Sequence, residues 1–376
     1  MSRHVSPCEG ILRELIAIPS VTGSEGLIRD YLESKFVALG LKTEVQHVDG
    51  DRYNVIGILG EGPVRLMLCT HQDVIPSLDE NKWMTPPFAP DYRDGRIYGR
   101  GATDAKGSLA AMMEAISRLK DRKLGSGAVA IAAVVEEETG RSIGARRLMT
   151  EYTAEMAIIG EPTGLRMAIA HKGALRPAIT VHGEAAHASN PERGVNAIAA
   201  MGKLLITLNS YAYRVSKNKD LLLGRSSSEA TMIHGGERIN VVPERCTVCI
   251  DRRLVLNENV DEAFRDLQQV IRRFSIRNRA KVDIELVSSY PPSSTGEGEP
   301  VVKMASAILM DMGLNPVPMG FPAGCDMWAF RARGLPTVVI GPGSIEQAHV
   351  VDEYIDVNEL RRAADVYERL LLKAAG

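Results

Sequence analysis

What most restricts this chain is an alternation of short branched apolar runs with longer amphipathic ones, interrupted once in the middle. Residues 26–39 place Leu27, Ile28, Tyr31, Leu32, Phe36, Val37 and Leu39 on one helical face, with Ser24 as candidate N-cap and Gly40 as a stop. A shorter helical pattern covers 11–18. Runs at 43–48, 53–59 and 64–69 are too short for helices and rich in branched residues, which predicts strands. A helix over 106–119, a strand over 128–135, a helix over 142–149 and a strand over 156–159 follow. Such alternation predicts an α/β architecture around a mostly parallel central sheet.

Near 171–177 the rhythm changes. Strands at 178–182, 230–234, 246–254 and 281–287 are interleaved with helices at 195–208 and 260–274. This is the pattern of a compact α+β unit of about 110 residues. The stretch 288–300, rich in Ser, Pro and Gly, reads as the return crossing. A helix at 301–312, a strand at 337–340 and a helix at 358–375 then resume the first rhythm. The expected organisation is one domain made of 1–175 and 289–376, with 176–288 inserted into it.

Composition excludes several functions. Lys and Arg total 45 against 47 Asp and Glu, so global charge cannot drive binding to nucleic acid or an anionic membrane. An aromatic share of 5% leaves little for base stacking. The longest apolar run, 128–135, is far short of the ~20 residues of a membrane helix. Arg3, His4, Glu9, Arg13 and Glu14 interrupt any leader-like stretch. Cys8, Cys69, Cys246, Cys249 and Cys325 are odd in number and scattered, which predicts reduced thiols in a cytoplasmic protein. Cys246 and Cys249 form a lone C-x-x-C within an apolar run and read as core thiols rather than a zinc knuckle.

In open α/β sheets, ligands bind beyond the carboxyl ends of the strands, and here those ends carry potential metal ligands. His71-Gln72-Asp73 ends one predicted strand, and an H-x-D lets the imidazole bind metal while a carboxylate fixes its tautomer. Gly99-Arg100-Gly101-Ala102-Thr103-Asp104 opens a helix; it fits neither phosphate-loop pattern, and an N-cap Asp104 is its plain reading. Glu136-Glu137-Glu138 follows 128–135, where neighbouring carboxylates face opposite ways. Glu161 follows 156–159, and His349 lies near the C-terminus in Ala348-His349-Val350-Val351-Asp352-Glu353. Singly, these read as surface histidines, caps and solvated acidic turns. Together, two histidines and several carboxylates suit zinc, cobalt or manganese, and a shared carboxylate would make a two-metal hydrolytic site.

The stretches THQDV, YGRGATDAKG, EEETG, GEPTG, HKG, GEAAHASNPERGVNAI, GGERINVVPE and AHVVDEYI span most of the chain in this order. They resemble the M20 metallopeptidase/aminoacylase family. GEPTG followed by AHKG and HASNPERGVNAI is most similar to its acetylornithine deacetylase and succinyl-diaminopimelate desuccinylase branches.

The resemblance implies a zinc-exopeptidase-like α/β catalytic domain and an inserted ferredoxin-like lid and dimerisation domain. It implies two divalent ions per subunit, Zn2+ or Co2+, one held by His71, Asp104 and Glu161 and the other by Asp104, Glu138 and His349. Asp73 would orient His71, and Glu137 would be the general acid/base; a register one residue earlier would use Glu136 and Glu137 instead. His187 would polarise the scissile carbonyl, while Asn240 and Arg253 would contact the substrate carboxylate. His171, His182 and His234 are left as structural, and Ala323 stands where relatives often have glycine. A cis Asp104–Ala105 bond and a homodimer through 176–288, with His187 supplied across it, are also implied. The implied activity is hydrolysis of an N-acyl amino acid, a small-molecule substrate, by an acetylornithine deacetylase-like enzyme. The alternatives are a desuccinylase, a dipeptidase or carboxypeptidase, and an inactive binding homologue.

Overall fold

Seven consecutive small or branched apolar residues, Ala128–Val134, form a strand in which every residue is buried, as expected of a parallel strand covered on both faces. In this computed structural model, which describes residues 5–122, 124–125 and 127–376, that strand lies inside the main sheet. Arg3 and His4, used above against a leader, lie outside the described residues. The sheet runs Lys42–Asp49, Arg52–Gly60, Ala128–Val134, Val64–His71, Met156–Ile159, Thr337–Val339, Ala168–His171, Ser293–Ser294. Its central four strands are mutually parallel, and the pairings that flank them are antiparallel. The carboxyl ends of the parallel strands therefore share one edge, where the candidate ligands emerge.

Helices Pro7–Ile16, Lys106–Ser117 and Val357–Ala375 pack on one another, and Gly26–Ala38 packs on the Lys42–Gly60 hairpin. The first helix begins earlier than the 11–18 pattern because Ser6, Pro7 and Glu9 start it. Pro7 occupies its first turn, and the Glu9 carboxylate accepts the Ser6 main-chain N–H at 3.1 Å. Ser24 is not the cap of the second helix: Glu25 holds that position with no side-chain bond to the helix. Gly40 does end that helix, at φ +81°. Three short strands, Asp91–Arg93, Arg96–Tyr98 and Tyr354–Asp356, form a separate antiparallel sheet. At three residues each, they are too short for period-2 alternation to reveal.

The chain divides into two compact units. The first comprises residues up to Ala170 with Ser294–Phe321 and Cys325–Gly376; the second comprises His171–Ser293 with Pro322–Gly324. Limits at 175/176 and 288/289 would cut through strands Gly173–His182 and Lys281–Tyr290, which pair with each other.

The second unit has four antiparallel strands ordered Ser227–Gly235, Arg245–Leu254, Gly173–His182, Lys281–Tyr290. Helices Ala197–Val215 and Val260–Asn278 share one core with this sheet, Met201, Leu204, Leu267 and Ile271 meeting Ile179, Val181 and Val248. In chain order this is the βαββαβ arrangement of ferredoxin-like domains. Asn196 and Asn259 cap the two helices through their side chains. Cys246 is buried in this core, and Cys249, three residues on, points to the other face of the strand; neither is disulfide-bonded. Among the described residues no helix is long and apolar enough to cross a membrane.

Candidate metal centre

Four segments of the first unit bring their polar ends together. His71 is the last residue of Val64–His71, Glu161 follows Met156–Ile159, Glu137 and Glu138 follow Ala128–Val134, and Asp104 precedes the helix Lys106–Ser117. His349 comes from the loop before Tyr354–Asp356. The Asp104 carboxylate lies between the two imidazoles. Its Oδ1 is 3.1 Å from His71 Nε2, and its Oδ2 is 3.3 Å from His349 Nε2. Glu161 Oε1 is 3.8 Å from His71 Nε2, and Glu138 Oε2 is 2.8 Å from His349 Nε2. Two atoms that each sit about 2.0–2.2 Å from one ion are at most about 4.4 Å apart, so all four separations fit a shared ion. The ligand atoms of His71, Asp104 and Glu161, and those of Asp104, Glu138 and His349, form two such groups with Asp104 in common.

The donor chemistry fits divalent cations. Glu138 Oε1 and Glu161 Oε1 are buried with no hydrogen-bond partner among the described residues, a costly state for a carboxylate that nothing neutralises. Burial, with Asp104 adding to it, pushes Glu138 up to about 7 against its bond to His349. Burial likewise raises Glu137 and Glu161 well above the carboxylate range, opposed by His71. Burial would raise Asp104 too, yet its bonds to His349 and His71 hold it far below. For His71, burial disfavours the charge but the Asp104, Glu161 and Asp73 carboxylates outweigh it, and the pKa is raised. His349 is lifted to about 10 by Asp104 and Glu138. Left to itself, the cluster keeps protons to offset its own negative charge; divalent cations would take their place.

Asp73 departs from expectation. His71 Nδ1 is 2.9 Å from the Asp73 main-chain oxygen and 3.7 Å from its carboxylate. The carboxylate accepts instead from the main-chain N–H groups of Glu137 and Glu138, at 3.2 and 3.3 Å, and from the Thr22 hydroxyl at 2.8 Å. The register of the three glutamates follows from their partners. Glu136 is buried, adopts φ +57°, and forms ion pairs with Arg52 and Arg141. Glu138 reaches His349, and Glu137 stands between them, its carboxylate accepting no hydrogen bond from the described residues. The Asp104–Ala105 peptide bond is cis. Asp104 is not the cap of the following helix; Ala105 holds that position.

Glu353 and Asp326 are buried acids that were not among the candidates read from the sequence. Glu353 accepts from the main-chain N–H of Thr103 and Asp104 and from Arg100. Asp326 is 1% exposed, and burial pushes it to about 6. The signal available for Glu353 was an acid four residues beyond His349 beside an apolar pair; nothing local marked Asp326.

His187, Asn240 and Arg253 belong to the second unit. His187 is exposed on Ala186–His187, which pairs with Val241–Val242, and its Nδ1 is 2.7 Å from Ser189 Oγ. The Asn240 carbonyl accepts the Ala188 N–H at 3.0 Å, which brings these two candidates into neighbouring segments. The Arg253 guanidinium is engaged within its own unit. Its Nε and Nη2 donate to Asp251 at 2.6 and 3.2 Å, and its Nη1 to the Tyr290 hydroxyl at 3.1 Å. Asp251 lies two residues earlier on the same strand, hence on the same face. Arg252 faces the other way and pairs with Glu258. His171 is buried with Nε2 unpartnered among the described residues, His182 pairs with Asp283, and His234 is exposed.

Residues 67–373 match the family model for peptidase family M20/M25/M40. The acetylornithine deacetylase of Photorhabdus laumondii subsp. laumondii is 31% identical, over 99% of this chain and 98% of that protein. The acetylornithine deacetylase of Edwardsiella ictaluri is 32% identical, over 93% and 92%. Among solved structures, an M20 family metallo-carboxypeptidase from Sulfolobus solfataricus superposes with a TM-score of 0.83 at 21% identity, covering 99% of this chain and all of that one.

Proposed function

This chain belongs to peptidase family M20/M25/M40, and from that premise we propose that it is a deacylase that releases the acyl group of an N-acyl amino acid, with N-acetylornithine as the leading substrate. The observation that carries the reading is Asp104, whose two oxygens face His71 and His349 while Glu161 and Glu138 complete a set on each side. The choice of a deacetylase over a peptidase rests on relatives of that name that match nearly end to end.

His71, Asp104 and Glu161 would hold one divalent cation and Asp104, Glu138 and His349 the other, with Zn2+ or Co2+ the ions that suit these donors. When bound, such ions lower the pKa of water toward ~7 and polarise the amide oxygen. Glu137 takes the proton of the attacking water and returns it to the leaving amine; a pKa raised by burial suits that exchange. Asp73 fixes the main chain of Glu137 and Glu138. His187 donates to the oxyanion, and Asn240 and Arg253 hold the substrate carboxylate, with Asp251 keeping the guanidinium oriented until the substrate arrives.

The protein acts as a homodimer through the second unit. Its edge strand Ser227–Gly235 is exposed along most of its length, with Met232 and Ile233 more than half exposed, an arrangement that invites strand pairing. Five unpaired thiols support a cytoplasmic setting.

The test is turnover of zinc- or cobalt-loaded protein on N-acetylornithine, N-succinyl-diaminopimelate and a panel of dipeptides. The expected result is the highest kcat/KM on the acetylated amino acid. Preference for the succinyl substrate or for dipeptides would replace this reading with a desuccinylase or a dipeptidase.

A further inference from the structure

The loop that carries Asp104 encloses an anion supplied by the chain itself. Main-chain N–H groups of Gly101, Thr103 and Asp104 converge on the Glu353 carboxylate at 3.2, 2.9 and 3.0 Å. The Arg100 guanidinium adds a fourth bond at 2.7 Å. Oε1 receives Thr103 and Asp104, and Oε2 receives Arg100 and Gly101. Neighbouring main-chain N–H groups that converge this way form a concavity built for an anion. The Gly-rich stretch 99–104, which fits neither phosphate-loop pattern, thus surrounds a carboxylate from near the other end of the chain.

The junction is buried and fastened on both flanks. Glu353 and Arg100 are each 1% exposed. The Gly99 N–H donates to the Glu353 carbonyl at 2.9 Å, and the Thr103 hydroxyl donates to the Tyr354 carbonyl at 2.5 Å. Beyond them, Tyr354–Asp356 pairs with Arg96–Tyr98. Glu353 follows His349 by four residues, so one carboxylate joins the segment bearing His349 to the segment bearing Asp104.

Resting on the metal-centre reading above, we infer that Glu353 is the positioning residue of that centre. By fixing the Gly101–Asp104 backbone, it holds the Asp104 carboxylate with one oxygen toward each histidine before any ion arrives. The competing account is a buried Arg100–Glu353 ion pair that only stabilises the fold.

Three variants separate these accounts, each stripped with chelator and titrated with zinc by calorimetry while melting is followed in parallel. Glu353→Asp keeps the charge but withdraws the carboxylate by one methylene. It should fold and bind zinc at least tenfold more weakly, within the 10–100-fold range typical of outer-shell partners. Arg100→Met removes the ion pair and leaves all three main-chain bonds; it should melt earlier yet retain wild-type zinc affinity. Glu353→Gln, which can accept through only one oxygen, should lose at least as much affinity as Glu353→Asp. Wild-type affinity in Glu353→Asp, or equal zinc loss in Arg100→Met, would overturn the inference. A wild-type protein that binds no zinc would instead remove the metal-centre reading itself.

A measurement on the wild type guards against variants that fail to fold. In metal-free protein the amides of Gly101, Thr103 and Asp104 should resist hydrogen exchange as strongly as the neighbouring helix Lys106–Ser117. Rapid exchange there without metal would mean that the ions, not Glu353, shape the loop.

Discussion

The Asp73 carboxylate accepts the main-chain N–H of Glu137 at 3.2 Å. Its other oxygen accepts Glu138 at 3.3 Å, so one buried acid sets the direction of both the proposed base and a proposed ligand. Asp73→Asn keeps the shape but turns one acceptor into an NH2 donor facing an N–H. The expected outcome is a 10–100-fold fall in kcat with a much smaller change in KM. Steady-state kinetics on N-acetylornithine check it, and an unchanged kcat would remove Asp73 from the site.

Glu136 and Glu137 should behave differently. Glu137→Gln should retain zinc and lose turnover by at least ~100-fold, the scale of general acid–base catalysis. Glu136→Gln removes the charge that pairs with Arg52 and Arg141; because Arg52 keeps Asp49, it should cost about 1–3 kcal/mol of stability and leave most of kcat. Paired metal analysis, melting and kinetics read all three effects; the reverse pattern would shift the register by one residue.

Chelation should destabilise as well as inactivate. Each ion present at 100 times its Kd contributes about 2.7 kcal/mol, so stripping one should lower Tm by about 3–5 °C. The bare oxygens of Glu138 and Glu161 are the reason to expect recovery on adding zinc or cobalt. A Tm indifferent to metal would count against both ligand sets.

Glu25 gives a pH signature away from the metals. Both its carboxylate oxygens are buried without partners among the described residues. Burial, then Asp73, raises it from 4.5 to about 7. The folded state therefore binds this proton more tightly than the unfolded one, and stability falls as pH rises from ~4.5 through ~7. Across that window the loss approaches ~3 kcal/mol at about 1.4 kcal/mol per unit. Glu25→Gln should match wild type near pH 4.5 and melt higher at pH 8, measured on chelator-treated protein. Parallel Tm–pH curves would disprove the assignment.

Subunit mixing tests the shared site. Glu137→Gln and His187→Ala homodimers should each be nearly inactive. If His187 serves the neighbouring subunit, random exchange creates mixed dimers with one intact site, restoring about a quarter of wild-type activity. Confirmed exchange without recovery would place His187 in its own subunit's site or outside catalysis.

Much of this protein was legible along the chain. Apolar period and run length are local properties, so Ala128–Val134, Lys106–Ser117 and the break into a second α+β unit could be read before any contact was known. His71 and Glu161 were legible as ligand-type residues because each stands at the end of a predicted strand, and strand direction fixes which end faces the ligand edge; Asp104, before a helix, and His349, in a loop, were marked only by the motifs around them. Competition among partners was not legible. Whether Glu137 or Glu138 turns toward His349 depends on Arg52 and on a left-handed φ at Glu136. Whether the Arg253 fork is free depends on Asp251 sharing its face. The role of Asp73 depends on two N–H groups that arrive from another strand, and that of Glu353 on a loop from the opposite end of the sequence. Sequence spacing specifies which groups exist and which face they occupy. Hydrogen bonds, with angular limits and reach of about 3 Å, are allotted only when distant segments have packed, and only then is it decided which carboxylate orients a backbone and which is left bare for a cation.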